Sequence, residues 1–285
     1  MVKVGIQLYS VRDEMAKDPI AAIKKVAAMG YKNLEVANQK ADTDPGVGFD
    51  VPAEELNKTL SEVGAKVVSG HIRPITSETL PAIITYHKAI GNKYIGQSVD
   101  FFTSYENLLE RCEYYNAVGK QCAAEGMQFI YHNHYQEFQE MNGKYILYQI
   151  MEHTDPRYVS FEVDTFWAMR GGADPIAVMK TLGSRIKMIH QKDFSKTAVS
   201  PVNVLATKDP NVPISWENFQ GGFDKSDFCE IGTGTMEIQK IIDTANEIGV
   251  EYVILEQDFT SLGQMESVQI SMDSFKKFNG IDFSE

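Results

Sequence analysis

The sequence predicts a closed (β/α)8 barrel, and three observations support that fold. The chain has 285 residues, a length typical of such barrels. One order of residues recurs along it: a helix-like segment, a glycine and an apolar, β-rich run. Each apolar run ends in polar or ionisable side chains, as the strands of catalytic barrels do. We therefore expect one domain over residues 1–285, with a long loop after strand 7.

The repeated pattern is clearest in six stretches. They are AAMGYKNLEV, SEVGAKVVSGH, KAIGNKYIGQ, AAEGMQFIYH, KTLGSRIKMIH and NEIGVEYVILE, with glycines at Gly30, Gly64, Gly91, Gly126, Gly183 and Gly249. Glycine directly after a helix adopts the left-handed conformation at low steric cost and therefore ends the helix. In the segment before Gly30, helical spacing relates Ile20, Ile23, Val26 and Ala27.

Two further units complete the set of eight. KVGIQLYS supplies a strand at the N-terminus, and MEHTDPRYVSFEVD reaches its strand through Asp155 and Pro156. Strands that alternate with helices predict right-handed βαβ units and a parallel sheet. The alternative is an open doubly wound sheet, but LYSVRDEM, after the first strand, has no glycine-rich phosphate loop. The extra length between Gly183 and Gly249 predicts a long loop that lines the carboxyl-terminal face of the barrel.

The composition narrows the functional classes. A formal net charge of −12 argues against binding to nucleic acid, which needs clustered Lys and Arg. No run approaches the ~18 apolar residues of a membrane helix. The N-terminus lacks a signal-peptide pattern, so we expect a cytoplasmic location without membrane partners. The cysteines, Cys112, Cys122 and Cys229, form no CxxC pair, and a cysteine zinc site is not expected.

Polar side chains follow the predicted strands and should meet at one face of the barrel. They are Gln7, Tyr9, Glu35, His71, Gln97, His132, Asn133, His134, Glu137, Glu162, Asp164, Trp167, His190, Lys192, Asp193, Glu256 and Asp258. Converging carboxylates repel and raise each other's pKa unless a cation lies among them. Carboxylates mixed with imidazole are typical ligands of Mn2+, Mg2+, Co2+ or Zn2+. The pattern therefore predicts a shared divalent metal site.

The order of these motifs resembles the xylose-isomerase-like TIM-barrel superfamily, often called sugar phosphate isomerases/epimerases. The resemblance runs from GIQLYSVRD through YHNHYQEF, EVDTFW, HQKD and EIGTG to LEQD. It implies one divalent metal ion, held by a Glu after strand 5, an Asp after strand 6, a His on strand 7 and a Glu on strand 8. The last three match Asp164, His190 and Glu256. We expect Glu137 as the fourth ligand, with His132 and His134, which share one face of strand 5, as alternatives.

The resemblance further implies a sugar isomerase or epimerase that removes a proton next to a carbonyl and forms an enediolate. The candidate catalytic residues are Glu137, Glu256, His132, His134 and Lys192. The candidate substrate-binding residues are Gln7, Tyr9, Glu35, His71, Trp167 and Asp193. The expected partner is a small carbohydrate, and a homo-oligomer is left open.

Other functions remain as alternatives. A dehydratase or lyase acting on a keto-sugar or keto-inositol, similar to inosose dehydratase or a keto-glycoside lyase, shares the enediolate step. An endonuclease IV-like phosphodiesterase and a non-catalytic sugar-binding barrel are less favoured. The glycines of IGTGTMEIQKII are compatible with phosphate binding at a helix N-terminus, although a turn with Thr235 as the helix cap is favoured. Trp216 is either a pocket wall or an anchor of the long loop.

Overall fold

The computed structural model describes residues 1–284, and its central feature is a barrel of eight parallel strands. Each strand pairs with the next one along the chain, and the last pairs with the first, where Gly5 lies opposite Ile254. The predicted (β/α)8 barrel is confirmed, and the open-sheet alternative is wrong. The strands are β1 (Val2–Gln7), β2 (Asn33–Asn38), β3 (Lys66–Ile72), β4 (Tyr94–Gln97), β5 (Gln128–His132), β6 (Val159–Asp164), β7 (Ile186–Gln191) and β8 (Tyr252–Leu255).

The helices surround the strands. They are α1 (Arg12–Lys17), α2 (Pro19–Met29), α3 (Ala53–Val63), α4 (Leu80–Ala89), α5 (Tyr105–Ala124), α6 (Ile146–His153), α7 (Thr165–Arg170), α8 (Pro175–Leu182), α9 (Trp216–Phe219), α10 (Ile238–Ile248) and α11 (Gln264–Phe275). Within residues 1–284, none of them is long and apolar enough to cross a membrane.

The two ends of helix α2 show how the repeated sequence pattern starts and stops a helix. Asp18 accepts a hydrogen bond from the backbone N–H of Ala21 at 2.9 Å, and Pro19 occupies the first helical position. Both features favour a helix start, because they satisfy or remove N–H groups that have no partner within the helix. At the other end, Gly30 has a φ of 116°, which a residue with a side chain rarely adopts. The chain therefore leaves the helix there and turns into β2.

Apolar side chains fill the barrel interior beneath a polar layer at the carboxyl-terminal ends of the strands. Val68, Tyr94, Ile130, Met188 and Ile254 form a buried cluster. A much larger apolar cluster lies between the strands and the helices. Since alternate residues of a strand face the same side, the residues two positions after Ile130, Met188 and Ile254 point inward one level higher. Those residues are His132, His190 and Glu256.

The predicted long loop follows β7 and precedes α10. Its first residues, Asp193–Phe194, pair antiparallel with Phe228–Cys229. A separate aromatic and apolar cluster lies beneath the loop, and its buried aromatic members are Tyr135, Phe166, Trp167, Phe194, Phe219 and Phe228. Arg170 of α7 forms a fully buried ion pair with Asp227 at 2.9 Å. The loop is therefore a packed cover beside the carboxyl-terminal face.

Candidate active site

A cavity of about 200 Å3 lies at the carboxyl-terminal face of the barrel. Its ionisable lining residues are Tyr9, His71, Arg73, His132, His134, Glu256 and Asp258. Aromatic side chains form much of the remaining wall: Trp167, Trp216, Phe219, Phe223 and Phe259. The cavity thus combines polar groups with flat apolar surfaces, as sites for small polar ligands do.

Four buried side chains from successive strands form a group with the chemistry of a metal site. They are His132, Asp164, His190 and Glu256, and one ligand atom of each lies within 4.8 Å of those of the others. Two imidazoles and two carboxylates suit Zn2+, Mn2+ or Co2+. The structure therefore brings together three of the four predicted ligands and adds His132, which was the alternative on strand 5.

Glu137 does not join this group. Its side chain is fully buried and accepts hydrogen bonds from the Tyr131 hydroxyl at 2.6 Å and from the backbone N–H of His134 at 2.8 Å. A 3-10 turn over Gln136–Phe138 directs it toward Tyr131, whose ring packs in the cluster between strands and helices. Burial raises the pKa of Glu137 to about 8. Glu137 therefore lies outside the group of candidate ligands, whereas His132, one of the two alternatives from strand 5, lies in it.

Lys192 joins two of the candidate ligands. Its ammonium group donates hydrogen bonds of 2.5 Å to Asp164 Oδ2 and to Glu256 Oε2, and it is 1% exposed. Burial alone would lower the pKa of Lys192, but the two carboxylates raise it above its ordinary value. Burial likewise opposes ionisation of Glu256, yet Lys192 and His190 hold its pKa well below the usual range. A buried positive charge therefore lies against Glu256, which lines the cavity.

A second layer of ionisable residues lies next to this group. His190 contacts Glu35 through Nε2 at 2.5 Å and Glu256 through Nδ1 at 2.9 Å. His71 contacts Glu162 at 2.5 Å. Burial opposes the charged form of both rings, but the surrounding carboxylates raise the pKa of each. Glu35 itself is fully buried and does not line the cavity, and burial together with Glu162 raises its pKa. Among the four candidate ligands, it contacts His190.

Several buried polar atoms near these residues lack hydrogen-bond partners, and a divalent cation could satisfy them. Three buried atoms in these two layers have no hydrogen-bond partner: Glu35 Oε1, Glu162 Oε1 and His132 Nδ1. Unpaired buried carboxylate oxygens and imidazole nitrogens are costly unless a cation or donor satisfies them. Since His132 lies in the group of four candidate ligands, the donor set and its electrostatics are compatible with the predicted metal.

Burial shifts the pKa values of three further ionisable groups of the cavity, His132, His134 and Asp258. Burial, followed by the charges of His132 and Lys192, lowers the pKa of His134 well below its ordinary value, and its Nδ1 has no partner. Burial similarly lowers the pKa of His132 to about 3. Burial raises the pKa of Asp258 to about 7, since the carboxylates of Glu256 and Asp164 add to it while Lys192, 3.6 Å away, opposes it. A neutral imidazole and a carboxyl that titrates near neutrality therefore share one cavity.

The remaining predicted substrate contacts divide into two sets. Gln7, Tyr9, His71 and Trp167 line the cavity, and Gln7 also donates a 2.8 Å hydrogen bond to Glu35. Asp193 does not line it. That carboxylate accepts hydrogen bonds from the backbone N–H groups of Gly232, Gly234 and Met236 at 2.9 to 3.0 Å.

Asp193 also explains the glycines of the EIGTG motif. A run of backbone N–H groups in a tight turn is an anion site, and here the anion is a carboxylate of the chain itself. Thr235 bonds to the Phe194 carbonyl oxygen and does not cap α10, which begins at Ile238. The turn is therefore an anchor of the long loop, and the expected cap by Thr235 is wrong.

Sequence reasoning did not select Gln39, Arg73 and Phe219, which line the cavity. Gln39 and Arg73 directly follow β2 and β3, so a slightly longer reading of those strand ends would include them. Phe219 lies in α9 of the long loop, and no local pattern distinguishes it from packing aromatics.

Known proteins resemble this chain in sequence and in fold. No family model matches the chain. Its sequence is 27% identical over 286 residues to an inosose dehydratase of Mesomycoplasma hyopneumoniae, covering 96% of this chain and 84% of that protein. A solved sugar phosphate isomerase/epimerase of Parabacteroides distasonis superposes with a TM-score of 0.75 at 23% identity, over 99% of this chain and 96% of the other.

A second solved structure, the IolI protein with a bound zinc atom, has a TM-score of 0.69 at 13% identity and covers 96% of both chains. At such identities the structural neighbours establish the fold. The sequence relatives extend the likeness over almost the whole chain, and the strand-end motifs occur in the expected order. The chain is therefore similar over most of its length to inosose dehydratases and has the fold of the solved sugar phosphate isomerase/epimerase.

Proposed function

We propose that the protein is a metal-dependent dehydratase or lyase that eliminates an oxygen substituent from a polyhydroxylated ketone. The observation that carries the proposal is that His134 and Asp258 line one cavity beside a group of metal-type ligands. Burial lowers the pKa of His134 and raises that of Asp258 to about 7. Pairs of titratable groups whose pKa values are pushed apart are typical of acid–base sites.

His132, Asp164, His190 and Glu256 would hold the metal. When bound there, a divalent cation supplies Lewis-acid polarisation of a substrate carbonyl oxygen. Because His190 has a raised pKa and a ligand must be deprotonated, binding of the metal is coupled to proton release. The identity of the metal is left to analysis of the protein, since the two-imidazole, two-carboxylate set suits several cations.

Side chains of the protein carry out the proton transfers. His134, as the neutral base, takes the proton from the carbon next to the ketone. The electron pair of that bond forms a double bond to the adjacent carbon, whose C–O bond breaks. Asp258, in its protonated form, gives its proton to the departing oxygen, which leaves as water, or as an alcohol when the oxygen carries a substituent. Lys192 places a positive charge near the developing enolate.

Elimination is favoured over isomerisation or epimerisation because the sequence relatives that cover 90% or more of the chain are named inosose dehydratase.

The test is conversion of a keto-inositol by metal-loaded protein in D2O. We expect loss of water and a rise in ultraviolet absorbance from the conjugated product. His134→Gln and Asp258→Asn should each lower kcat by about 10² to 10⁴ while metal content stays unchanged. A recovered ketone that has gained deuterium without loss of water would instead establish isomerase chemistry. Full activity in both variants would remove the assigned roles.

A further inference from the structure

Each of the two histidines among the candidate metal ligands has a buried carboxylate behind it. The two ring nitrogens of His190 face different carboxylates. Nδ1 lies 2.9 Å from Glu256, which belongs to the same group of four ligands, and Nε2 lies 2.5 Å from Glu35 Oε2. Glu35 is fully buried and lies outside that group. Because a neutral imidazole carries one proton, a proton directed at Glu35 leaves Nδ1 free to bind a cation.

His132 shows the same arrangement with the two nitrogens exchanged. Its Nδ1 is buried, has no hydrogen-bond partner within residues 1–284 and lies 3.4 Å from Glu162 Oε2. Glu162 is fully buried, whereas the ring of His132 lines the cavity. A proton on Nδ1 therefore faces a carboxylate, and Nε2 is the nitrogen available to a cation.

His71 joins the two carboxylates. Its Nε2 donates a 2.5 Å hydrogen bond to Glu162 Oε2 and lies 3.7 Å from Glu35 Oε1. Its ring stacks on that of His190 with centroids 5.0 Å apart, and it lies 4.6 Å from the ring of His132. Buried side chains that pack and bond in this way have few alternative rotamers, so both carboxylates are held in place.

The inner residues also offer a second set of potential ligands. They are His71, His132, Glu162 and His190, whose ligand atoms lie within 4.8 Å of one another. This set shares His132 and His190 with the outer group. Cations in both sets at once would have to bind both nitrogens of the shared rings, but a neutral imidazole has only one nitrogen without a proton. Protons on the inner nitrogens and a cation on the outer ones satisfy both sets together.

We propose that Glu35 and Glu162 are positioning residues of the metal site. Glu35 keeps the proton of His190 on Nε2, which presents Nδ1 to the cation. Glu162 keeps the proton of His132 on Nδ1, which presents Nε2. A carboxylate behind an imidazole ligand fixes the orientation of the ring and raises its basicity. The inference rests on the metal site of the proposed function, and it gives a role to two buried carboxylates that the proton transfers leave unused.

The positions of the protons can be tested in the wild-type protein. The chain has six histidines, few enough for their ring nitrogens to be resolved by NMR of zinc-loaded protein labelled with 15N-histidine. We expect zinc on Nδ1 of His190 and on Nε2 of His132, with the proton on the opposite nitrogen of each ring. Zinc on Nε2 of His190 or on Nδ1 of His132 would overturn the proposal.

Removing the carboxylate charges supplies a second arm. Glu35→Gln and Glu162→Gln keep the size of the side chain, and each should weaken Zn2+ binding about 10- to 100-fold. Each should also change the visible spectrum of Co2+-loaded protein, which reports the geometry of the ligands. Glu137→Gln is the matched control, because Glu137 is fully buried but lies outside both sets of ligands. It should keep the wild-type affinity and spectrum.

Two results of this arm would overturn the proposal. One is unchanged Zn2+ affinity in both Glu35→Gln and Glu162→Gln. The other is binding of two Zn2+ per wild-type chain, reduced to one by Glu162→Gln, which would make the inner residues a metal site of their own. If a variant fails to fold, the NMR measurement on the wild type decides the matter.

The metal measurements are separate from turnover. The expected proton positions and weakened Zn2+ binding in a protein that eliminates nothing from a keto-inositol would support the positioning roles and reject the proposed reaction. Elimination by a protein whose Zn2+ affinity is unchanged by both substitutions would overturn the positioning roles and keep the reaction.

Discussion

Replacing Lys192 with Met removes the one ammonium that contacts both Asp164 and Glu256 in the described part of the chain. Both contacts are 2.5 Å long, and Lys192 is 1% exposed. Removing one partner of a buried ion pair leaves an uncompensated charge and costs about 3–5 kcal/mol. For a chain of this size, that corresponds to a loss of about 5–8 °C in Tm. The assay is thermal unfolding of the metal-free protein in the presence of a chelator.

The loss of stability in Lys192→Met should depend on pH. The raised pKa of Lys192 means that its contribution is complete at neutral pH and is lost only as the pH rises through that value. In the variant, Asp164 and Glu256 lose the cation that favours their charged forms, so their pKa values rise. Both can then be neutralised by protonation. We expect the deficit in stability to be large at pH 8 and smaller at pH 5.5.

An exposed lysine provides the control. Lys180 lies 3.7 Å from Glu247, and both side chains are more than half exposed, so Lys180→Met should change the free energy of unfolding by less than about 1 kcal/mol. Adding Mn2+ or Zn2+ should reduce the deficit of Lys192→Met, because the cation compensates the same carboxylates. Equal stability of wild type and Lys192→Met at pH 8 without metal would refute the reasoning.

Three other variants test the rest of the description. His132→Ala should lower the metal affinity at least tenfold, measured by metal analysis after dialysis. Glu137→Gln should keep the metal. The reverse pattern would make Glu137 the ligand. Because burial raises the pKa of Glu137 to about 8, wild type should lose stability relative to Glu137→Gln as the pH rises from about 5 to 8, and parallel melting curves would contradict this. Asp227→Ala leaves Arg170 buried without its ion pair and should lower the free energy of unfolding by about 3–5 kcal/mol in urea titrations; a change below 1 kcal/mol would show that the pair is not needed.

The fold and the centre of the site follow from the sequence for a simple geometric reason. Parallel strands end at one face, and alternate residues of each strand point inward. Asp164 and His190 lie opposite each other in the pairing of β6 with β7, and Glu256 follows β8 directly. Identifying the strand ends was therefore sufficient to bring these three residues together.

The structure differs from the sequence prediction where the chain leaves the strands. Glu137 is only five residues beyond His132, but it lies within the 3-10 turn Gln136–Phe138 and its side chain bonds to Tyr131. Asp193 follows Lys192 directly, yet it bonds to a turn that lies about forty residues later. Neither result can be obtained from spacing, because each depends on how a loop packs. Trp216 was left undecided between pocket wall and loop anchor, and only its position beside Phe219 and Arg73 distinguishes them.

The anchoring of the long loop has a consequence for how the substrate enters and is kept from water. Many barrel enzymes close a mobile lid over the substrate, and lid opening then limits turnover. Here the loop is fastened by Asp193 at one end and by the buried pair of Arg170 and Asp227, so swinging it aside would break charged contacts in the interior. We therefore expect substrate to enter and leave through the open mouth of the cavity without displacement of this loop, so that water reaches the reacting groups whenever substrate is absent.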